Sequence, residues 1–284
     1  GLVDCAGVRL EEATDGLYAF GELFSVQAKA SGVIPEIQAI FGKCGGGMAL
    51  SAGLSDFVFM EEKDAALFVN APNTLDGNYK EKLDTSSASY QSENTGLVDM
   101  TGTAEEILAA IRELIAVLPS NNDDPAVTET KDDLNRLTGQ LEGVKDVREI
   151  ARVIGDNGIF VETKKDFAKD VVTGFIRLDG ITAGVIGNAE KKLTASGCSK
   201  AAAFVTFCDA FEIPLVTLTE AEGFAAEIGE VFLFRFPDLG GKVYIRVSPQ
   251  DIGKHSQKVR HLFDVGEVDF RQIHDGDGRA APTF

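Results

Sequence analysis

Basic residues are scarce in this 284-residue chain, which has 27 Lys and Arg against 45 Asp and Glu and a net charge of −18. Phosphate binding needs a basic footprint, so this balance predicts no nucleic-acid partner, although a local basic cleft could bind a small anion. No apolar run reaches the roughly 18 residues of a membrane span. The start of the chain also lacks the charged and apolar segments of a signal peptide. Because 44% of the residues are hydrophobic, we expect a folded chain with no direct membrane span.

Cysteine and histidine are few as well. The four cysteines are Cys5, Cys44, Cys198 and Cys208. They form no C-x-x-C pair and lie mostly in apolar segments, which indicates reduced thiols in a cytoplasmic protein and no zinc site. The histidines all lie at or after His255, and the segment from His274 to Asp277 has donors for a metal. A solvated tail explains that segment more simply, so we predict no metal.

Strands and helices alternate over the first 120 residues. Residues 1–4 resemble the end of a buried strand, from which we expect that upstream sequence is missing. Apolar residues at spacings of three and four predict a helix over 14–31. The elements predicted next are a strand over 33–41, a glycine-rich loop over 42–47, a helix over 48–53, a strand over 56–60 and a polar surface loop over 72–91. Thr103–Glu106 has the capping-box pattern in front of an amphipathic helix.

Pro119–Asp133 is a polar segment that predicts a boundary. A charged helix is predicted over 133–154, and Asp179-Gly180 between two apolar runs predicts a type I′ hairpin. A helix over 199–211 and a strand over 214–219 follow. Strand–helix–strand order implies parallel crossovers, so two stacked α/β units are expected. Beyond residue 229, two strands are predicted around Gly240-Gly241.

The run Gly45-Gly46-Gly47 lies between a predicted strand and a predicted helix. One interpretation is a permissive loop. The other is a backbone anion site, because glycine amides approach a ligand closely and the start of the helix adds a positive dipole end. Such amides can stabilise an enolate or thioester oxyanion. The run lacks the features of a P-loop, of a dinucleotide fingerprint and of a nucleophile elbow.

Several blocks resemble the biotin-dependent acyl-CoA carboxyltransferases. Asp4–Glu12 is similar to that family's D-x-A-G-x-R-x-x-E turn, and Ala30–Ile37 is similar to its A-S-G-V-I-P-x-I stretch. Further similar blocks lie at 43–47, 54–60, 167–180, 200–211 and 213–218. The resemblance covers roughly residues 1–224 and is weaker at 72–95 and 120–157. It is strongest to carboxyltransferase subunits of acyl-CoA decarboxylases and carboxylases.

The resemblance implies an α/β fold with two crotonase-like (ClpP/crotonase) domains of stacked ββα units, the second one incomplete. The expected organisation is an N-terminal carboxyltransferase domain over 1–120, a helical linker over 121–157, a partial C-terminal domain over 158–228 and a divergent tail over 229–284. The second small-residue pair of the family is not found after Phe224. Full turnover by this chain alone is therefore not expected.

The resemblance also implies a site. Gly46 and Gly47 would be the catalytic oxyanion pair that holds the thioester enolate while a carboxyl group moves between carboxybiotin and an acyl-CoA. The predicted substrate-binding residues are Ala6, Gly7, Arg9, Lys43 and Gly45. Arg9 and Lys43 would meet the substrate's phosphates or form structural ion pairs, and the sequence leaves both open.

The implied cofactor is biotin on a partner carrier protein, with acyl-CoA as substrate. The implied partners are the carrier, other carboxylase or decarboxylase subunits and further copies of the chain. One alternative is a non-catalytic or degenerate fragment that acts in subunit assembly. Another is a hydratase or thioester hydrolase, which would need a carboxylate such as Glu11, Glu12 or Glu22 near the oxyanion hole.

Overall fold

The computed structural model describes residues 1–225 except 76–77, 79–82, 125, 134, 137–140 and 142. The tail over 229–284, with its predicted strands around Gly240-Gly241 and the segment from His274 to Asp277, lies outside the described residues. Within that part of the chain, strands and helices alternate in the order that the sequence predicts.

The first sheet is parallel and has five strands in the order β1-β2-β3-β5, with β4 also paired to β2. The strands are β1 (Leu2–Cys5), β2 (Ile37–Gly45), β3 (Phe57–Glu61), β4 (Ala66–Phe68) and β5 (Met100–Gly102). All pairs in this sheet run in parallel, as the crossovers predicted. The sheet therefore brings the carboxyl ends of its strands to one edge.

The second sheet has the order β10-β8-β7-β6. Its strands are β6 (Val161–Thr163), β7 (Val171–Leu178), β8 (Ile181–Asn188) and β10 (Leu215–Leu218), and a small sheet pairs β9 (Lys192–Leu193) with β11 (Gly223–Phe224). β7 and β8 form an antiparallel hairpin. Asp179 and Gly180 at its tip have φ of 53° and 74°, the positive values that a type I′ turn needs, so the hairpin prediction is confirmed.

Five helices of eight residues or more connect these strands in the described part of the chain. They are α1 (Ala13–Ala30), α2 (Gly47–Leu54), α3 (Ala104–Val117), α4 (Val147–Ile154) and α5 (Ala195–Ala210). The predicted capping box is present, because the Thr103 and Glu106 side chains each accept a hydrogen bond from the other's backbone N–H. Gly32 has a φ of +72° just after α1, which a residue with a side chain rarely adopts.

Three predicted boundaries are wrong. The strand predicted over 33–41 begins only at Ile37, because the N–H groups of Val33 and Ile34 both bond back to the Ala30 carbonyl as a continuation of the helix end. The same strand continues to Gly45, so the predicted loop over 42–47 is mostly strand. The predicted surface loop over 72–91 contains two helical turns, at Pro72–Thr74 and Ala88–Tyr90.

The helix predicted over 133–154 begins at Val147 in the described residues. Gly143 has a φ of +79°, and the Asp146 side chain caps the helix start by accepting the Arg148 N–H. Arg136, which lies before the helix, donates to the carbonyls of Val153, Ile154 and Gly155 at its far end. Arg136 of this charged segment thus caps the C-terminal end of a short helix.

One hydrophobic cluster joins the two sheets. Phe57 of β3 lies 6.1 Å from Phe175 of β7, and Phe175 lies 5.0 Å from Phe204 of α5, measured between ring centroids. An α/β fold is confirmed, but the first and second units share this core. The domain boundaries proposed at 120 and 157 stay predictions. No helix in the described residues is long and apolar enough to cross a membrane.

Candidate functional site

The glycine run is a tight turn between β2 and α2. Only Gly46 lies outside both elements, with φ of 58° and ψ of −124°. This conformation is open to glycine because it has no Cβ. The Gly46 N–H donates to the Phe68 carbonyl of β4 at 2.9 Å, so it is already satisfied within the fold.

The start of α2 presents free backbone donors. Gly47 and Met48 are its first two residues, and no acceptor in the described residues takes their N–H groups. No side chain caps the helix, and the Ala49 N–H bonds to the Gly46 carbonyl at 3.1 Å. A Cβ placed on Gly46 would meet no atom within 4 Å. The turn therefore combines open space at Gly46 with two amides that no described residue accepts from, at the positive end of a helix dipole.

The turn after β1 forms the wall beside these amides. A Cβ on Gly45 would lie 2.4 Å from the Ala6 carbonyl oxygen, which only glycine permits. Gly7 has a φ of +128°, and a Cβ there would lie 3.7 Å from the Gly45 carbonyl. The structure thus brings Ala6 and Gly7 against the glycine run. These residues were singled out by the resemblance, and their proximity agrees with a shared site.

The two predicted cations behave differently. Arg9 is exposed and forms an ion pair with Glu12 at 3.7 Å. Lys43 is also exposed, and its backbone N–H donates to Asp4 Oδ1 at 2.9 Å. No carboxylate among the described residues lies within ion-pair distance of Lys43. The ion-pair alternative thus applies to Arg9, whereas the Lys43 ammonium has no ion-pair partner among the described residues.

A buried polar network that the sequence did not predict holds α2 in place. Ser51 of α2 donates to Gln27 Oε1 of α1 at 2.7 Å and accepts from Gln38 Nε2 of β2 at 2.6 Å. Ser51 is fully buried and both glutamines are nearly so. Phe20 of α1 also lies over the turn, 3.1 Å from where a Gly47 Cβ would be. The network and the ring together position the start of α2 on the sheet.

The start of α5 differs from that of α2 in having a side-chain cap that a carboxylate supports. Thr194 caps it by accepting the Gly197 N–H at 2.9 Å, and the Thr194 N–H donates to Asp170 Oδ2 at 2.8 Å. Lys200 of α5 is buried and donates to the carbonyls of Lys164, Phe167 and Val171 at 2.8–2.9 Å. Burial lowers the pKa of Lys200 to about 8. A side-chain hydroxyl therefore takes one amide of this helix start, and the Asp170 carboxylate behind it disfavours an anionic ligand.

No group of three or more His, Cys, Asp or Glu side chains in the described residues is arranged to hold a metal. Asp99 is the most deeply buried carboxylate beside a cavity, which has a volume of about 120 Å³. Burial raises the pKa of Asp99, and the nearby Lys164 opposes that effect. This cavity lies between β3, β5, α3 and β6, away from the glycine run.

Comparison with known proteins gives a consistent match. The carboxyl transferase domain family matches residues 1–230. The chain is 36% identical over 243 residues to the propionyl-CoA carboxylase beta chain of Roseobacter denitrificans, covering 79% of this chain and 47% of that protein. It is 32% identical over 243 residues to the methylmalonyl-CoA decarboxylase subunit alpha of Veillonella parvula, covering 79% and 47%. The chain thus spans about half the length of the curated relatives it matches.

Solved structures agree with this match. A transcarboxylase 12S structure with bound hydrolyzed methylmalonyl-coenzyme A, described as a hexamer assembly, has a TM-score of 0.74 and 29% identity, covering 80% of this chain and 47% of that one. A single-chain, multi-domain long-chain acyl-CoA carboxylase has a TM-score of 0.57 at 20% identity, covering 72% and 22%, and shows likeness in fold alone. The crotonase-like α/β fold expected from the resemblance is therefore confirmed.

Proposed function

The chain belongs to the carboxyl transferase domain family, and from that premise we propose that it forms the acyl-CoA side of a biotin-dependent carboxyltransferase. The observation that carries the proposal is the open start of α2, where the amides of Gly47 and Met48 have no acceptor in the described residues. Two converging N–H donors at a helix start are suited to an oxygen that gains negative charge. In this family's reaction that oxygen is the thioester carbonyl of the acyl-CoA.

Within this proposal, Gly46 and Gly47 have different tasks. Gly46 gives its own N–H to Phe68, so its contribution is the backbone angle that aims the following amides. Gly47 and Met48 donate to the enolate oxygen when the α-carbon gains or loses a carboxyl group. Ala6 and Gly7 form the facing wall, Gly45 permits their close approach, and Lys43 supplies positive charge for a substrate phosphate.

The charge on the enolate is stabilised by fixed dipoles rather than by a side-chain acid. Backbone amides cost no reorganisation during the reaction, which is why such donors contribute strongly in a site closed to water. The carboxylates required by a hydratase or thioester hydrolase are poorly suited here. Glu11 and Glu22 are exposed, and Glu12 is paired with Arg9. The structure thus favours carboxyl transfer over the hydratase alternative.

The biotin side does not fit the described residues. Carboxybiotin, when bound, would supply the carboxyl group, and biotin would accept it in the reverse direction. At the helix start in the second unit, an anionic oxygen would meet the Asp170 carboxylate that supports the Thr194 cap. We therefore assign no biotin-binding residue in the described part of the chain. A biotin carrier and a second site would belong to partners or to residues beyond Ala225.

Propionyl-CoA and methylmalonyl-CoA are the substrates we propose. They are the acyl-CoAs that appear in the names of the relatives and in the description of the transcarboxylase structure. Both have short acyl groups on the same carrier, so one site accommodates either. A cytoplasmic location, which the reduced cysteines predict, is part of the same proposal, and the described residues contain no disulfide.

The test is binding of propionyl-CoA compared with binding of CoA alone, measured by calorimetry on the full chain. The difference reports the thioester's own contribution. In Gly47→Ala, a Cβ presses on Phe20 at 3.1 Å and shifts the amides, so this difference should fall about tenfold, or roughly 1.4 kcal/mol. Gly53→Ala in the same helix meets no atom within 4 Å and serves as the matched control. Equal thioester selectivity in the two variants would remove the proposed oxyanion site.

A second candidate function is subunit assembly without catalysis. The observation in its favour is the exposed apolar surface of α1, where Leu17, Tyr18 and Val26 are 67%, 70% and 62% exposed. Such side chains are typical of a surface that another protein covers. Sedimentation velocity at several concentrations separates the candidates. Self-association without CoA binding would favour assembly, whereas a monomer with thioester-selective binding would favour the catalytic proposal.

A further inference from the structure

Two of the four cysteines are register partners in neighbouring strands. β1 pairs in parallel with β2, and Cys5 is the partner of Cys44 in that pairing. Adjacent strands are ~4.7–4.9 Å apart, and the Cα atoms joined by a disulfide are ~4.4–6.8 Å apart. The backbone thus holds the two residues within disulfide range, and both thiols are free.

Their side chains lie on the same face of the sheet. Val3 and Ile40 are also register partners, and both belong to the hydrophobic cluster that contains Cys44. Cys5 is two residues after Val3, and Cys44 is four residues after Ile40. The pairing has an irregularity between these two register pairs, so the side-chain placement depends on Cys44, which lies in that cluster, and on Cys5 as its direct partner. Burial raises the pKa of Cys44, and the charge of Cys5 raises it further, as expected for neighbouring sulfurs.

The two thiols differ in accessibility. Cys5 is partly exposed, whereas Cys44 is fully buried. Burial raises the pKa of Cys44 to about 12, and Cys5 adds to that effect. A small oxidant therefore reaches Cys5 first, and the buried thiol lies beside it. This is the arrangement of a reacting and a resolving cysteine.

We infer that Cys5 and Cys44 form an oxidisable dithiol beside the glycine run, which a peroxide converts into a Cys5–Cys44 disulfide. In the first step the Cys5 thiol and hydrogen peroxide give a sulfenic acid and one water. In the second step the Cys44 sulfur attacks the Cys5 sulfur, the S–O bond breaks, and the thiol proton leaves with the hydroxyl as a second water. Two thiols are oxidised and one peroxide is reduced.

The bond lies within the wall of the candidate site. Cys5 directly precedes Ala6, whose carbonyl already lies as close to Gly45 as a glycine permits. Drawing Cys5 towards Cys44 shifts this contact, so the oxidised chain should bind propionyl-CoA at least several-fold more weakly. That consequence depends on the proposed function, whereas formation of the bond does not.

The experiment is peptide mapping of the full chain after reduction, removal of the reductant and titration with hydrogen peroxide. Remaining thiols are blocked with an alkylating reagent before digestion without reductant. We expect a linked peptide containing Cys5 and Cys44, lighter by two hydrogens than the separate peptides, and a loss of two of the four free thiols. Cys5→Ser should abolish the linked peptide, and Cys198→Ser should retain it.

Alkylated Cys44 in the oxidised sample, together with Cys5 oxidised to sulfinic or sulfonic acid, would overturn the inference. A Cys5 disulfide between two chains would overturn it as well. If the linked peptide forms and propionyl-CoA binding does not change, the dithiol stands and the predicted shift of the Ala6 contact is wrong. The mapping uses the unmodified chain, so poor folding of a variant does not affect the main result.

Discussion

The starts of α2 and α5 show two ways to end a strand-to-helix turn. At α2 a glycine turn leaves the amides of Gly47 and Met48 without acceptors and without a capping side chain. At α5 the Thr194 hydroxyl takes a helix amide and the Asp170 carboxylate supports Thr194. Both helices follow a strand in an α/β unit, so topology does not explain the difference.

The difference separates stability from function. A capped helix start contributes about 1 kcal/mol or more to folding, because it satisfies amides that otherwise have no partner. The start of α2 forgoes that contribution, and the buried Ser51 network holds the helix instead. Unpaired amides supported from behind are suited to a ligand. We therefore expect substitutions around α5 to lower the free energy of unfolding and substitutions at the start of α2 to weaken ligand binding.

The largest effect is expected at Lys200. Lys200→Met retains much of the buried apolar stem and removes the donor to three carbonyls, those of Lys164, Phe167 and Val171. Three hydrogen bonds from a buried donor are lost at about 1 kcal/mol each, so the free energy of unfolding should fall by about 3 kcal/mol. Urea unfolding followed by circular dichroism measures it.

The matched control is Lys169→Met, because Lys169 is 67% exposed and pairs only with Asp166 at 3.7 Å. Its effect should stay within about 0.5 kcal/mol. If the two variants lose equal stability, the hydrogen bonds of Lys200 do not stabilise the second unit. Thioester-selective binding per folded molecule should be unchanged in both, since neither side chain is near α2.

Asp170 should follow with a smaller loss. Its carboxylate is 8% exposed and accepts from both the Thr194 N–H and the Thr194 hydroxyl. Asp170→Ala leaves these partly buried donors without an acceptor and should lower the free energy of unfolding by about 2 kcal/mol. Asp209→Ala, an exposed position on the same helix, is the comparison and should change little. A loss at Asp170 no greater than at Asp209 would contradict the proposed support of the helix cap.

Much of this architecture could be predicted from local sequence. The α1 periodicity, the Thr103–Glu106 capping box and the Asp179-Gly180 turn depend on residues near each other in the chain, and all three are present. The start of β2 could not be predicted in this way, because it depends on the Ala30 carbonyl accepting the N–H groups of both Val33 and Ile34. The charged segment before Val147 has helical composition, but its arginine caps a helix end 17–19 residues away.

The candidate site was predicted in part. The glycine run and the Ala6-Gly7 turn carry a local signal, because glycine is required where the backbone approaches closely or φ is positive. The partner of Gly46 could not be predicted, since Phe68 comes from β4 and reaches the turn only through sheet pairing. The Ser51 network was missed for the same reason. A polar residue in an otherwise apolar helix was the available signal.

The pH dependence of stability tests the start of α5 in another way. The pKa of Lys200 is lowered from 10.5 to about 8, so between these values the unfolded chain binds more protons than the native one. Stability from this group should therefore rise with pH over that window, by at most about 1.4 kcal/mol per pH unit. Cys44 and Cys208, whose pKa values are raised from 9.0 by burial, act in the opposite direction above pH 9.0.

Because several groups titrate together, the quantity to measure is the difference between the wild-type chain and Lys200→Met at each pH. Between pH 8 and 10.5 this difference in the free energy of unfolding should increase steadily in favour of the wild-type chain. A flat difference would mean that Lys200 titrates normally. In that case its carbonyl partners fully compensate its burial.

The smallest effect, and the most direct test of the comparison, is expected from a carboxylate placed at the start of α2, as Asp170 is placed at the start of α5. Gly46→Asp places a carboxylate where a Cβ meets no atom within 4 Å, and Gly46→Asn places a neutral group of the same size there. Both variants bear the same strain from the φ of 58°. Because a charge at a helix start is worth about 1 kcal/mol, propionyl-CoA should bind about fivefold more weakly to the Asp variant than to the Asn variant.

The ratio of the two affinities cancels the effect of backbone strain, and it should shrink towards one in high salt as the carboxylate is screened. Equal affinities at low salt would mean that no negative charge develops or docks at these amides, and the two helix starts would then differ in structure without differing in function.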